Sequence, residues 1–376
     1  MDRAPDGTTL MSKEMPDQGR WDPRDQSPAE FLLEARRWSL PLGNARRWLA
    51  LLIGGGECGV EECRRAGILP RRLLGAAADL PRLRLQRRLL SKDPGFEKLV
   101  FATPDDRVVE TVIIPLHKPG AFSVCVSSQI GCVMGCSYCA TGRIPAPRDL
   151  RGWEIVDQFL QARAIVRGAG GRVTGAVFMG MGEPLLNYDR VMAAAELLSF
   201  PVHAAIGARA ITVGTVGLVP EIERFTAEGR KFRLSISLGA ATDEKRRLLV
   251  PAAARTPVTE VMAAARRHAE SRRTRVMLSY VCVGGVNVSE EDARALGRLV
   301  GDTPVRLDLI DVSDPTGRYA PPDAAELDAF RDALRRHLGQ PVARRYSGGG
   351  DISAACGSLG GSGGGSGGGS GGGSME

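Results

Sequence analysis

The chain has no apolar run long enough to cross a membrane. Its longest apolar stretches, at 48–54 and 173–181, are the size of a strand or a buried helix. The first residues lack the apolar segment of a signal peptide and mix Asp, Arg and Lys instead. These two absences make a cytoplasmic protein with no membrane partner the expectation. Histidine is scarce: there are four in 376 residues, and none is close in sequence to the main cysteine run. No second cysteine pair of the zinc-binding kind accompanies that run either, so a closed structural zinc site lacks its usual ligands. What is present is a 43% hydrophobic composition, enough for a sizeable core in one large domain and one small one. Lysine and arginine number 50 against 43 acids, a net charge of +7. That excess suits a polyanion such as RNA, because neutralised phosphates release counterions. An arginine- and alanine-rich composition produces the same excess, so charge alone does not choose the partner.

Residues 1–28 are polar, proline-containing and aperiodic, and read as disordered. Residues 29–95 read as a small basic helical module, with helical spacing at 29–34 and 45–53 and a stop at Gly54-Gly55-Gly56. Short helices continue to Leu80, and the arginine-rich run 82–88 closes the module. Residues 96–123 read as a β-hairpin extension, with strands at 99–102 and 108–114 around a turn at Pro104-Asp105-Asp106. From 124 to 359 strand and helix signals alternate. Strands are expected at 173–179, 208–213, 233–238, 275–283, 305–310 and 342–346. Helices are expected at 153–167, 189–198, 219–228, 258–271, 290–299 and 324–338. Six such units in series predict an α/β fold whose parallel strands form a closed or partial (β/α)6, TIM-like barrel, with chemistry at the C-terminal strand ends. Residues 360–376 hold only Gly and Ser up to Ser374, with the regularity of an engineered flexible linker, and Met375-Glu376 read as the start of a fused partner.

Eight cysteines in an intracellular chain are not expected to form a disulfide framework. Cys132, Cys136 and Cys139 form a CxxxCxxC run just after the first barrel strand. Three thiolates can hold three irons of a 4Fe-4S cluster, which leaves one iron open to a small ligand. The amino and carboxylate groups of S-adenosylmethionine (SAM) fit such an open position. Zinc is the competing reading, but structural zinc usually closes with four ligands. Gly180-Met181-Gly182-Glu183-Pro184 follows the next strand. Its glycines allow close approach of the backbone to a ligand, and Glu183 can receive an ammonium group. By itself that stretch is a plain turn; at the same barrel mouth as the triplet it reads as a SAM site.

Cys125 precedes the triplet by seven residues, and Cys356 lies far away in a glycine-bounded loop. Two free core cysteines are the bland reading. Several motifs together resemble the RlmN/Cfr family of radical SAM adenosine carbon methyltransferases. They are Cys125-Val-Ser-Ser-Gln-Ile-Gly-Cys132, the triplet with Ala140-Thr141-Gly142, the Gly-Met-Gly-Glu-Pro-Leu stretch, Gly285-Val286-Asn287, and the loop from Asp351 to Gly357. The resemblance covers roughly residues 96–359 and, more faintly, the helical module. It implies a radical SAM barrel, a 4Fe-4S cluster on Cys132, Cys136 and Cys139, and SAM. It also implies an electron donor such as flavodoxin or ferredoxin, and ribosomal or transfer RNA as partner. Cys356 would be methylated by one SAM, and a 5′-deoxyadenosyl radical from a second would take hydrogen from that methyl. The methylene radical would add to an adenine ring carbon. Cys125 would promote loss of the ring proton and form a disulfide with Cys356 on release. Glu110 matches a glutamate assigned as a proton acceptor. Cofactor contacts would fall to Gly182, Glu183, Thr215, Ser237 and Ser313. Cys58, Cys63 and Cys282 match nothing in this scheme and read as structural.

Such chemistry has a physical rationale. An aromatic amidine carbon is not nucleophilic, so direct attack on a sulfonium fails, and a tethered radical overcomes this by proximity. Three places depart from the family pattern. Ser237-Leu238-Gly239 replaces Ser-Leu-His, Gly214-Thr215-Val216-Gly217 replaces a serine-rich strand end, and an asparagine is replaced within 309–315. Those departures keep open an alternative acceptor, a small heteroaromatic compound or nucleoside. A third reading, a non-catalytic iron–sulfur or RNA-binding module, would leave Cys125 and Cys356 dispensable.

Overall fold

A computed structural model describes residues 22–54, 63, 65–69, 80–201, 205–345 and 347–360. The expectations for 1–21, Cys58, Tyr346 and 361–376 lie outside the described residues. Helix α1 (Pro28–Arg37) starts where Ser27 and Glu30 form a capping box, each side chain accepting from the other's backbone N–H, with Pro28 at the first position. Its Phe31 meets Trp48 of α2 (Leu42–Gly54) edge-on, with ring centroids 5.5 Å apart.

Two expectations about the N-terminal region are corrected. Residues 22–28 are ordered: a 3-10 turn at Pro23–Asp25 buries Arg24, which donates to Asp22 and, at 3.2 Å, to Asp157. Asp25 accepts from Trp153 N. The order comes from partners about 130 residues away, which a local composition does not report. The arginine run does not close a helical module. Arg84–Leu90 is instead strand β1, and nearly all of its residues are exposed.

β1 pairs antiparallel with β2 (Glu97–Ala102), β2 with β3 (Val108–Pro115), and β3 with β4 (Ala121–Val126). β4 is the first barrel strand and begins inside the segment read as the hairpin extension. A two-residue ribbon, β5 (Gln129–Ile130) with β6 (Arg148–Asp149), brackets the cysteine triplet. β7 (Arg172–Phe178), β8 (Ile211–Thr215), β9 (Arg233–Ser237), β10 (Val276–Cys282), β11 (Val305–Asp311) and β12 (Val342–Arg344) follow. Within the main sheet every pairing from β4 to β12 is parallel, while the β5–β6 ribbon is antiparallel. The whole is a ten-stranded sheet in the order β1-β2-β3-β4-β7-β8-β9-β10-β11-β12.

The crossovers are α3 (Gly152–Gly168), α4 (Tyr188–Leu198), α5 (Val219–Ala227), α6 (Asp243–Leu249) with α7 (Val258–Arg272), α8 (Glu290–Val300) and α9 (Ala324–His337). This is the partial (β/α)6 barrel expected from the alternating pattern. One strand face packs on the helices, as where Tyr280 of β10 stacks on Phe330 of α9 at 5.8 Å. The other face lines the barrel, and the strand ends converge at one mouth. Among the described residues no helix is long and apolar enough to cross a membrane.

Candidate active site

The triplet loop leaves β5 and rests on a small apolar cluster at the mouth that includes Met134, Tyr138, Val216, Leu249 and Val250. Ser137 N donates to Leu249 O at 3.0 Å, which fixes the loop against α6. Burial pushes the Cys132 thiol up to about 12 and raises Cys136 further, and the thiols of the triplet feel one another's charge. A bare thiolate is disfavoured there, so binding needs positive charge brought by iron. Among the described residues no three Cys, His, Asp or Glu groups converge on one metal ion. Three thiols on one loop are the donor number that a 4Fe-4S cluster with one open iron takes, each sulfur on a different iron.

The Gly180–Pro184 stretch follows β7 beside this loop. A Cβ at Gly180 would lie 2.6 Å from Ser127 Oγ, and one at Gly182 would lie 2.6 Å from Gln129 Cβ, with φ +102°. Both glycines are therefore demanded by backbone approach. Glu183 is buried and its carboxyl is pushed up to about 7 by burial, against the pull of hydrogen bonds from Val216 N (2.8 Å), Leu185 N (3.1 Å) and the Thr215 hydroxyl. Its charge is felt at Cys132 and Cys136, so this carboxylate adjoins the triplet. Ser237 ends β9, and Ser313 follows β11 with its carbonyl 3.4 Å from where a Cβ of Gly357 would stand. Gly239, at the family's histidine position, has φ +76°, and an added Cβ would lie 2.9 Å from Val250.

Cys356 lies in the loop after β12, and its N–H donates to Ser347 Oγ at 3.0 Å. Gly357 O accepts from Ala140 N at 2.8 Å and Leu359 O accepts from Thr141 Oγ1 at 2.8 Å, which tie this loop to the triplet loop. Burial pushes the Cys125 thiol up to about 12; the Cys356 thiol nearby adds to this, while Arg345 opposes it. Cys125, on the first barrel strand, and Cys356, after the last, are thus near enough for their thiols to interact electrostatically. All seven cysteines among the described residues are free thiols, including this pair. Cys63 and Cys282 are buried in the core.

Glu110 is buried on β3, 3.4 Å from the ammonium of Lys98 on β2, and accepts from Gly360 N at 2.8 Å. Strand register pairs Val112 with both Lys98 and Cys125, which puts Lys98, Glu110 and Cys125 on one face. Asp351 of the Cys356 loop accepts from Ser91 Oγ (2.5 Å) and Lys92 N (2.8 Å). Asn287 ties the ends of β9 and β10 together, donating to Gly239 O and Val281 O and accepting from Val283 N. Sequence reasoning missed Lys98 and Arg345. The signal for Lys98 was a lysine at the head of the apolar run Leu99-Val100-Phe101-Ala102; for Arg345 there was none.

The sequence matches the Radical SAM superfamily over residues 126–297. A probable RNA methyltransferase of Anaeromyxobacter sp. (strain Fw109-5) is 48% identical over 328 residues, 86% of this chain and 95% of that protein. A probable dual-specificity RNA methyltransferase RlmN of Moorella thermoacetica is 40% identical, over 77% of this chain and 82% of that protein. A radical SAM methyltransferase from Sphaerobacter thermophilus, known from its crystal structure, aligns with a TM-score of 0.81 at 35% identity, over 89% of this chain and 98% of that one. Radical SAM chemistry brings a 4Fe-4S cluster and SAM as cofactors, and the donor set at the mouth fits them. Likeness at 35–48% identity over 77–89% of the chain places it in the RlmN/Cfr family of radical SAM methyltransferases.

Proposed function

We propose that this protein methylates an sp2 carbon of adenine in ribosomal or transfer RNA, with Cys356 as the methyl carrier. The observation that carries the reading is that the Cys356 loop is hydrogen-bonded to the Cys132–Cys139 loop through Ala140 and Thr141, with Cys125 near enough for its thiol to feel that of Cys356. The cofactors, when bound, supply the methyl group and a 5′-deoxyadenosyl radical. Cys132, Cys136 and Cys139 would hold the cluster, and Gly182, Glu183, Thr215, Ser237 and Ser313 would line the SAM pocket. Cys356 would hold the methyl as a thioether, keeping the reactive carbon tethered beside the acceptor ring. Cys125 and Glu110, which share a face of the extension sheet, would accept the ring proton. Attack of the Cys125 thiolate on the Cys356 sulfur would form a disulfide and break that sulfur's bond to the transferred carbon, which would leave with the electron pair and take up a proton as the product methyl, in keeping with thiol–disulfide exchange. The electron would come from a small carrier such as flavodoxin or ferredoxin, and the setting would be the cytoplasm. Relatives named as RNA methyltransferases and the net charge of +7 support RNA as acceptor.

One observation favours the diverged acceptor. Gly239 adopts a left-handed backbone packed on Val250, so the pocket differs in shape where the family carries histidine. Methyl transfer measured in parallel on ribosomal RNA fragments, transfer RNA and free nucleosides separates the readings. RNA should be labelled, and its binding should weaken steeply with salt. Labelling of nucleosides alone, at a rate indifferent to salt, overturns the RNA reading.

A further inference from the structure

Lys98 has no place in the chemistry just described, yet it is completely buried. A buried ammonium is costly unless it is paired and hydrogen-bonded. Its Nζ lies 3.4 Å from Glu110 Oε1 and donates to Ser353 O at 3.1 Å. Glu110 uses its other oxygen, Oε2, to accept from Gly360 N at 2.8 Å. The pair therefore grips the C-terminal loop at Ser353, three residues before Cys356, and at Gly360, four residues after it. Ser353 is held in a left-handed conformation, φ +53°, unusual for a residue with a side chain. Such a conformation persists where its surroundings over-determine it.

Register explains why this grip matters. Val112 of β3 faces Lys98 on one side and Cys125 on the other, and Val100 faces Glu110. Lys98, Glu110 and Cys125 thus stand on one face of the extension, and the Cys356 loop lies over that face. Stability is a poor reason for such a pair, since apolar replacements of buried ion pairs are often neutral or stabilising. A pair that contacts both flanks of one loop is instead well suited to setting that loop's conformation.

We propose that Lys98 is a positioning residue which, together with Glu110, holds the Cys356 loop so that its thiol faces Cys125. The proposal rests on the reading of Cys356 as methyl carrier.

The test compares wild type, Lys98→Met, Lys98→Arg and the double variant Lys98→Met/Glu110→Leu. Backbone hydrogen exchange over residues 349–360 should accelerate by roughly tenfold or more in Lys98→Met and in the double variant, with the core helices unchanged. In Lys98→Met, 5′-deoxyadenosine formed per methyl transferred should rise by roughly tenfold to hundredfold, because a small misplacement of a tethered group has that effect. Lys98→Arg should restore part of the coupling. A merely destabilised enzyme would lose cleavage and transfer in proportion, leaving the ratio unmoved. Exchange over 349–360 that matches wild type in both apolar variants overturns the proposal, as does an unchanged ratio in a folded Lys98→Met. If wild type never carries a methyl on Cys356, the carrier reading falls, while the exchange measurement still decides whether the loop is held.

Discussion

Cys125 and Cys356 differ in what surrounds them, and the difference matches the division of labour proposed for them. Cys356 is half-buried in a loop, where a methyl donor can reach it. Cys125 is buried, and its thiol, pushed up to about 12, needs help to ionise. Arg345 supplies positive charge nearby and is itself placed by contact with Met179, whose backbone N–H faces Cys125. Replacing Cys356 by Ala should leave iron content and SAM cleavage in place and abolish methyl transfer, read as labelled product by mass spectrometry. Replacing Cys125 by Ala should trap the enzyme on its substrate through Cys356. Product release at the wild-type rate with no adduct would refute the release role. Both cysteines were legible in sequence as motif positions. That their thiols come near enough to interact was not, because 230 residues lie between them and only β12 and its following loop bring the second back to the first.

At the scale of elements, α5 and α7 pack side by side through Phe225 and His268. His268 is buried, its Nδ1 is 2.8 Å from the Thr226 hydroxyl, and burial pulls its pKa from 6.5 down to about 4. The folded chain therefore refuses a proton that the unfolded chain binds between about pH 6.5 and 4. Stability is present in full above pH 6.5 and falls as the pH drops through that window, by up to about 3 kcal/mol. Chemical denaturation at pH 7 and pH 4.5 checks this. His268→Gln should show a shallower decline than wild type, and equal declines would place the acid sensitivity elsewhere. The barrel's own elements were readable because helix and strand periods alternate cleanly along residues 152–344. β1 was not, since an exposed edge strand carries no buried face to impose a period of two on its side chains. The ordered turn at Pro23–Asp25 escaped for a related reason: Arg24 is held by Asp157 of α3, and nothing in its own neighbourhood shows this.

For the whole molecule, the ten-stranded sheet works as a frame that closes the C-terminal loop over the barrel mouth from two sides. The antiparallel extension holds that loop through Ser91, Lys92, Lys98 and Glu110, while the triplet loop holds it through Ala140 and Thr141. Anaerobic reconstitution should give a brown protein with about four irons per chain. Cys132→Ala should lose most of that iron while keeping its helical content. A colourless wild-type protein that takes up one zinc would end the cluster reading. By itself the sequence determined the class of fold, the cysteine triplet proposed to hold the cluster and the glycines at the strand end, because spacing and backbone freedom are local properties of a chain. Only the tertiary structure decided which groups stand beside the Cys356 loop. Lys98, Glu110 and Cys125 share a face through strand register, and pairing across strands, unlike periodicity along one, is not written in any single segment.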